Sequence, residues 1–369
     1  MNYREVSELA VLLNHSYQWS QIMNSSTLWS PQNVQYCFDF VNNSCARNVR
    51  STISLWAMYI FMVGATVLTM GGNMLVIISI AHFKQLHSPT NFLICSLATT
   101  DFLLSFTVMP YSMVRSVESC WYFGDLFCKL HTSFDIMLCT TSIFHLCFIS
   151  IDRYYAVCDP LNYVTKITVP VIVLFLFISW AVPFLFAFGL VFSELNIDGI
   201  EEYVTSIDCN GFCALIFNKL WGVMASLIAF FFPGTVMVGI YVHIFTVARK
   251  HARQIAKIPS AIICASAMKN KLSTKKESKA TKTLSIVMGV FVLCWMPFFS
   301  LTIADPFINF SAPEDMYNAF LWLGYFNSTC NPIIYGLFYS WFRKAFKIIV
   351  TGRIFRSDSS TLTLYPTNT

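Results

Sequence analysis

The sequence predicts an all-α membrane protein, a seven-transmembrane helix bundle followed by a short amphipathic helix 8, and three observations carry that reading. Of 369 residues, 56% are hydrophobic and 12% charged, with a mean hydropathy of +0.59, which lies outside the range of water-soluble globules. Seven runs, near 53–81, 91–114, 127–151, 168–192, 214–247, 283–304 and 316–338, reach the ~20 mostly apolar residues that a bilayer core requires. Eighteen of the 24 Lys and Arg follow the first, third, fifth and seventh runs, which puts those segments in the cytoplasm and the N-terminal segment outside. With 35 Phe against 14 Gly and 13 Pro, collagenous and disordered readings fail. The net charge of +5 accompanies no basic stripe interleaved with aromatics, so nucleic acid is not an expected partner. The thirteen Cys include no recurring C-x₂-C pair, so they form no zinc framework.

The elements follow in order. Residues 1–52 form an extracellular segment whose sequons at Asn14, Asn24 and Asn42 suit glycosylation, and it lacks a long apolar signal region, so the first span directs insertion. Residues 53–339 form the bundle. A further sequon at Asn327 sits inside span seven, where no glycan can be attached. Residues 340–350, including Phe342-Arg-Lys-Ala-Phe-Lys347, make an amphipathic helix suited to an anionic leaflet, and 351–369 are a cytoplasmic tail with phosphorylatable Ser and Thr. Six Cys lie outside: Cys37, Cys45, Cys120, Cys128, Cys209 and Cys213. An even set in an oxidising compartment favours disulfides.

Acids inside spans need a reason. Asp135 in span three must be protonated, paired or waiting for a cation, and no Lys, Arg or His in an outer half-span is an obvious partner. A protonated amine would satisfy it through a charge-assisted hydrogen bond; the alternative is an acid tied to Tyr325 and polar neighbours with no ligand role. Around it, Trp295, Phe298 and Phe299 share one face of span six with Phe291 and Thr302, and Ile136 and Cys139 flank it on span three. These side chains suit an aryl or alkyl tail. Span five reads Ala225-Ser226-Leu-Ile-Ala229, so it carries no second acid for a diamine, and Ser226 is its sole hydroxyl there unless it bonds a backbone carbonyl. Thirteen of the 19 acidic residues lie in outer segments, a negative mouth for an ammonium ligand. Deeper, Asp101, Asn73, Ser142, Asn327, Ser328 and Asn331 make a polar cluster suited to a small hard cation or to water. Asp135 and Arg153 are 18 residues apart, ~5 turns and ~27 Å along one helix face.

The motifs Gly72-Asn73, Leu97 with Asp101, Asp152-Arg153-Tyr154, Trp180, Pro233 with Tyr241, Phe291 with Cys294-Trp-Met-Pro297, and Asn331-Pro332-Ile-Ile-Tyr335 run in register through all seven spans. Together they resemble the rhodopsin-like G-protein-coupled receptors. Asp135 with Trp322 and Tyr325, the stretch Asn327–Phe342 and the paired-Cys second outer loop are similar to the trace amine-associated receptors.

That resemblance implies a plasma-membrane receptor for volatile or biogenic monoamines of phenylethylamine type, with Ile136, Cys139, Ser226, Trp295, Phe298, Phe299, Thr302, Trp322 and Tyr325 around the ammonium at Asp135. It implies a heterotrimeric G protein of stimulatory or olfactory type, rising cAMP, arrestin and receptor kinase as further partners, and olfactory cilia as the setting. It pairs Cys128 with Cys213, which leaves three connectivities for the other four outer Cys. A bond from Cys37 or Cys45 to Cys209, with the other closing on Cys120, is favoured. It makes sodium the ion of the polar cluster, the only cofactor expected. It assigns Arg153 a resting-state ion pair with Glu277, and a packing triplet to Pro233, Ile143 and Phe291. Tyr154, Tyr241, Asn331, Pro332 and Tyr335 join these in activation, and Leu161 contacts the G protein. The competing readings are a hydroxylated amine such as tyramine bound through Ser226 or Thr302, an amine transporter, for which no internal repeat is found, and an intramembrane enzyme, for which no catalytic arrangement is found.

Overall fold

The computed structural model describes residues 35–256, 286–356 and 358–364. Long helices dominate: Thr52–His82 (span one), Pro89–Thr107 continued by Met109–Glu118 (span two), Asp125–Cys158 (span three) and Val169–Ser193 (span four). Span five runs from Lys219 to Ala256 through a π turn at Leu227–Phe231, span six is described from Ile286 to Phe307, and span seven is Glu314–Phe338. Among the described residues there is no β-strand, only isolated bridges between Tyr36 and Ala46 and between Ser44 and Asn210.

Local sequence sets the boundaries and bends. Ser51 and Ser88 cap spans one and two by accepting the backbone N–H groups of Ser54 and Asn91, and Pro89 occupies the first turn, where its missing N–H costs nothing. Asn218 caps span five in the same way at 2.8 Å from Trp221 N. Span two bends by 42° at Val108, next to Pro110, and the π turn of span five immediately precedes Pro233. Proline lacks a donor and crowds the preceding turn, so both irregularities have a local cause.

Among the described residues, five helices are long and apolar enough to cross a membrane, or six if the bent pair is one span. Span seven is helical but falls short by composition. Its Asn327, Ser328, Thr329 and Asn331 are buried, so its polarity faces the bundle rather than lipid. Conversely, Phe177, Leu185, Val173 and Phe184 of span four are exposed, as lipid-facing side chains are. The interior is built on Leu97, Ile143, Phe291, Trp295 and Tyr325. A Cβ on Gly72 would lie 2.6 Å from Pro332 Cγ, so spans one and seven touch where only a hydrogen fits.

The outer end is cross-braced by disulfides Cys37–Cys120, Cys45–Cys209 and Cys128–Cys213. The residues before span one are thereby tied to span two and to the second outer loop, reinforced by Cys45 N to Asn210 O (3.0 Å) and Trp121 N to Gly211 O (2.8 Å). Ion pairs Arg47–Glu118, Arg50–Asp315 and Lys129–Glu194 add to the brace. They also neutralise part of the expected negative mouth, since three of its acids already have cations. At the inner end a helix at Ser340–Val350 follows span seven, and Leu364 beyond it is buried.

The Gly72 contact gives a direct test. Gly72→Ala is expected to cost about 1–3 kcal/mol by overpacking, read as a lower melting temperature of the detergent-solubilised protein. Gly71→Ala, with nothing within 4 Å of the added methyl, is expected to leave it unchanged.

Candidate functional site: an acid at the floor of an aromatic cavity

A cavity of about 460 Å³ opens between the outer halves of spans three, five, six and seven and beneath the second outer loop. Its floor holds Asp135, which the cavity leaves partly accessible. Tyr325 donates its hydroxyl to Asp135 Oδ2 at 2.6 Å, and the Cys139 thiol donates to Oδ1 at 3.4 Å. Among the described residues no cation pairs with this carboxylate. Arg115 also lines the cavity but donates instead to the Cys213 carbonyl at 3.4 Å. One phenol and one weak thiol leave a half-buried carboxylate with acceptor capacity to spare, which is the electrostatic condition for holding an ammonium group.

The walls are aromatic. Trp295, Phe298 and Phe299 all line the cavity, with Trp295 and Phe298 edge to face at 6.0 Å and Phe298 and Phe299 at 5.4 Å. Phe230 of span five, outside the expected set, stacks on Phe299 at 4.9 Å and fixes that ring. Ile136, Cys139, Ser226 and Thr302 reach the cavity as expected. Trp322 and Tyr325 do not: they stand behind the wall. Trp322 donates to Ser116 at 3.1 Å and Tyr325 is fully buried, so both support the acid rather than face a guest. Thr302 is spent on the Phe298 carbonyl at 2.9 Å. Ser226, allowed a backbone bond by its sequence, makes none. Its hydroxyl is buried, lines the cavity and has no partner among the described residues.

Several cavity residues escape sequence reasoning. Phe212 and Phe217 come from the loop that Cys213 pins over the opening, a position which that disulfide could have signalled. Asp305 and Glu314 reach the cavity from the outer ends of spans six and seven, and Asp305 accepts from Tyr317 OH at 3.2 Å and Ala312 N at 3.1 Å. The lack of a second acid therefore holds for span five and not for the cavity as a whole.

Midway down, Asp101 accepts from Ser142 (3.1 Å) and Ser328 (2.8 Å) on one oxygen and from Asn331 (2.8 Å) on the other. Asn73 lies one step away, donating to the carbonyls of Thr69 and Ser328, and Asn327 makes no bond to Asp101. The side-chain oxygens of Asn73, Asn327 and Asn331 are buried without a donor. A carboxylate beside unpaired amide oxygens is a donor set that fits a small hard cation such as sodium.

At the inner end Arg153 pairs with its neighbour Asp152, which is fully buried and also accepts from Thr90 (2.9 Å) and Tyr163 (2.9 Å). Thr90 and Tyr163 were not legible in the sequence, since neither belongs to the Asp152-Arg153-Tyr154 motif. Glu277, the expected partner across spans three and six, lies outside the described residues, as do Asn14 and Asn24. Ser150 donates to Tyr241 OH at 3.4 Å, Tyr154 packs on His243, and Pro233, Ile143, Phe291 and Tyr335 are buried. Leu161 is 92% exposed on the second inner loop, and Asn42 is exposed on the outer side. Asn327 is buried in the bundle, in keeping with its exclusion as a glycan site.

Residues 72–335 match the family model described as 7 transmembrane receptor (rhodopsin family). The chain belongs to that family and, within it, to the trace amine-associated receptors. It is 71% identical over 344 residues to trace amine-associated receptor 4 of Rattus norvegicus, covering 93% of this chain and 99% of that protein, and equally so to the Mus musculus counterpart. It is 56% identical over 339 residues to trace amine-associated receptor 3 of Mus musculus, covering 92% of this chain and 98% of that protein. It is therefore a multi-pass membrane receptor and not an enzyme, and the transporter reading is set aside.

Trp295 closes against span seven at Gly324, where a Cβ would meet its ring at 2.6 Å. Gly324→Ala is expected to push the indole toward the cavity and to weaken amine binding by about tenfold, the lower part of the 1–3 kcal/mol range for overpacking, as measured by competition binding on membranes.

Proposed function

We propose that the protein is a receptor for primary monoamines of phenylethylamine type, whose ammonium group binds Asp135 and whose ring lies against Trp295, Phe298 and Phe299. The observation that carries this reading is a cavity carboxylate bonded, among the described residues, by Tyr325 and Cys139 alone, with aromatic walls around it. A protonated amine supplies the missing charge and donors, and the low-dielectric surroundings strengthen that bond. The receptor then activates a stimulatory or olfactory-type G protein through its inner face, Leu161 included, and raises cAMP. Asp152, Arg153, Tyr154, Tyr241 and Tyr335 supply the switch, with Pro233, Ile143, Phe291, Asn331 and Pro332 linking it to the cavity. A released ion pair between Arg153 and Glu277, arrestin and receptor kinase acting on the tail, glycans at Asn14, Asn24 and Asn42, the extracellular N-terminus and an olfactory-cilium setting belong to the same proposal. So does sodium at Asp101, where the bound ion would supply charge neutralisation within a cradle of Ser142, Ser328 and the Asn oxygens.

Ser226 favours one second reading. Its unpartnered buried hydroxyl is suited to a ligand with a polar distal group, such as tyramine.

Three measurements decide these points. Asp135→Ala at matched surface expression is expected to lower phenylethylamine potency in a cAMP assay by at least about 100-fold, the scale of losing a buried charge-assisted pair; retained potency removes the binding model. Ser226→Ala is expected to leave phenylethylamine unchanged, and a loss of about fivefold or more for tyramine alone would establish the second reading. Asp101→Asn is expected to abolish any sodium dependence of agonist affinity, and a dependence that persists in the variant places the ion elsewhere.

A further inference from the structure

Behind Asp135 runs a fully buried line of polar groups that, beyond Tyr325, the binding reading does not use. Tyr325 donates to Asp135 Oδ2 at 2.6 Å. The Tyr325 oxygen lies 3.2 Å from Ser112 Oγ, and Ser112 Oγ lies 3.2 Å from His131 Nε2. His131 Nε2 is also 3.3 Å from the Val108 carbonyl. Ser112 and Tyr325 have no exposed surface and His131 has 3%.

The direction of every proton in this line follows from one group. A carbonyl can only accept, so the Nε2 facing Val108 carries the hydrogen, which it shares with Ser112 Oγ. Ser112, having accepted, donates onward to the Tyr325 oxygen. Tyr325, having accepted, donates to Asp135. All three donors therefore point toward the carboxylate, an arrangement in which each bond polarises the next. The kink at Val108 is what brings the carbonyl and Ser112 to the His131 ring, and Trp121 and Tyr111 hold that ring at 5.1 and 6.2 Å.

We propose that Ser112 and His131 are positioning residues for amine recognition. They lock the Tyr325 hydroxyl hydrogen onto Asp135 Oδ2 and so fix the plane of the carboxylate. Oδ1, which has only the Cys139 thiol at 3.4 Å, is thereby presented to the ammonium. Without Ser112, the Tyr325 oxygen loses its donor, its bond to Asp135 is no longer polarised from behind, and the carboxylate is held less firmly in its orientation. The role is specific to spans two and three and rests on the binding of amines at Asp135.

The test is a set of double-mutant cycles read as phenylethylamine affinity on membranes at matched surface expression. Ser112→Ala and His131→Leu are each expected to weaken binding by about tenfold in the native background and by less than about twofold in Tyr325→Phe, where the hydroxyl they act on is gone. Ser112→Thr and His131→Gln, which keep the hydroxyl and the N–H, are expected to restore affinity. Equal losses in both backgrounds would show mere packing and overturn the proposal, as would no loss at all. Asp135→Ala separates the two claims, since binding that survives it defeats the amine reading itself. A ligand-free infrared measurement stands beside them: the Asp135 carboxylate band, assigned by its disappearance in Asp135→Asn, is expected to shift in Ser112→Ala, and an unshifted band refutes the relay whatever the binding data show.

Discussion

A carboxylate removed from bulk water without a cation is the constraint around which the outer half of this bundle is arranged. An unpaired ionised acid in a low-dielectric interior is costly enough to dominate its surroundings. Asp135 is tolerated because one side is bonded by Tyr325 and the other side opens to a cavity that ligand or solvent can enter. The aromatic walls follow from the same constraint. Trp295, Phe298 and Phe299 surround the acid with apolar surface on the span-six side, and Trp295 packs against Gly324.

The same helix that carries Asp135 also connects it to the inner end. Span three is an uninterrupted helix of 34 residues, and it places Ser142 against Asp101 and Ile143 in the same buried core as Phe291 before reaching Asp152 and Arg153. An intact helix transmits rotation and translation but does not by itself have two states. The bistable parts must be its partners: the broken span five at Leu227–Phe231, span six around Phe291, and span seven around Pro332. Each has a proline that weakens the backbone ladder within the bilayer, where no water compensates. The proposed signalling from the cavity to the far end of the bundle therefore has a rigid rod and three deformable neighbours to work with.

How much was legible in the sequence follows from the range of the interactions involved. The spans were legible because lipid imposes a local rule, an apolar run of sufficient length, and six of the seven obey it in composition. Span seven shows the limit of that rule: its Asn327, Ser328 and Asn331 make it too polar by composition, yet their burial against Asp101 makes it a span. Asp135 and its aromatic wall were legible because charge and helical spacing are both visible along the chain. What stayed hidden were partnerships set by tertiary approach. Ser112 meets His131 and Tyr325 where span two bends, and Asp152 is met by Thr90 from the start of span two and by Tyr163 from the second inner loop. Family resemblance also pointed to Trp322 and Tyr325 as ligand contacts, but packing shows that neither lines the cavity.

The outer brace bears on affinity as well as on stability. A small amine offers few atoms, so it cannot offset a large cost of ordering loops around itself. Here that cost is met before binding. Cys128–Cys213 draws the second outer loop over the cavity, Cys45–Cys209 and Cys37–Cys120 clamp the residues before span one onto the loop and span two, and the ion pairs of Arg47 and Arg50 extend the clamp to spans two and seven. Gly211, with φ of +106° and Cys37 Cβ 2.9 Å from where its own Cβ would be, is a point of close approach between loop and N-terminal segment where a side chain would not fit. A cavity whose covering loop and N-terminal segment are already fixed by covalent bonds asks little further ordering of a ligand that would bind at Asp135. That is a demand a molecule with a single ammonium group and a single ring can meet.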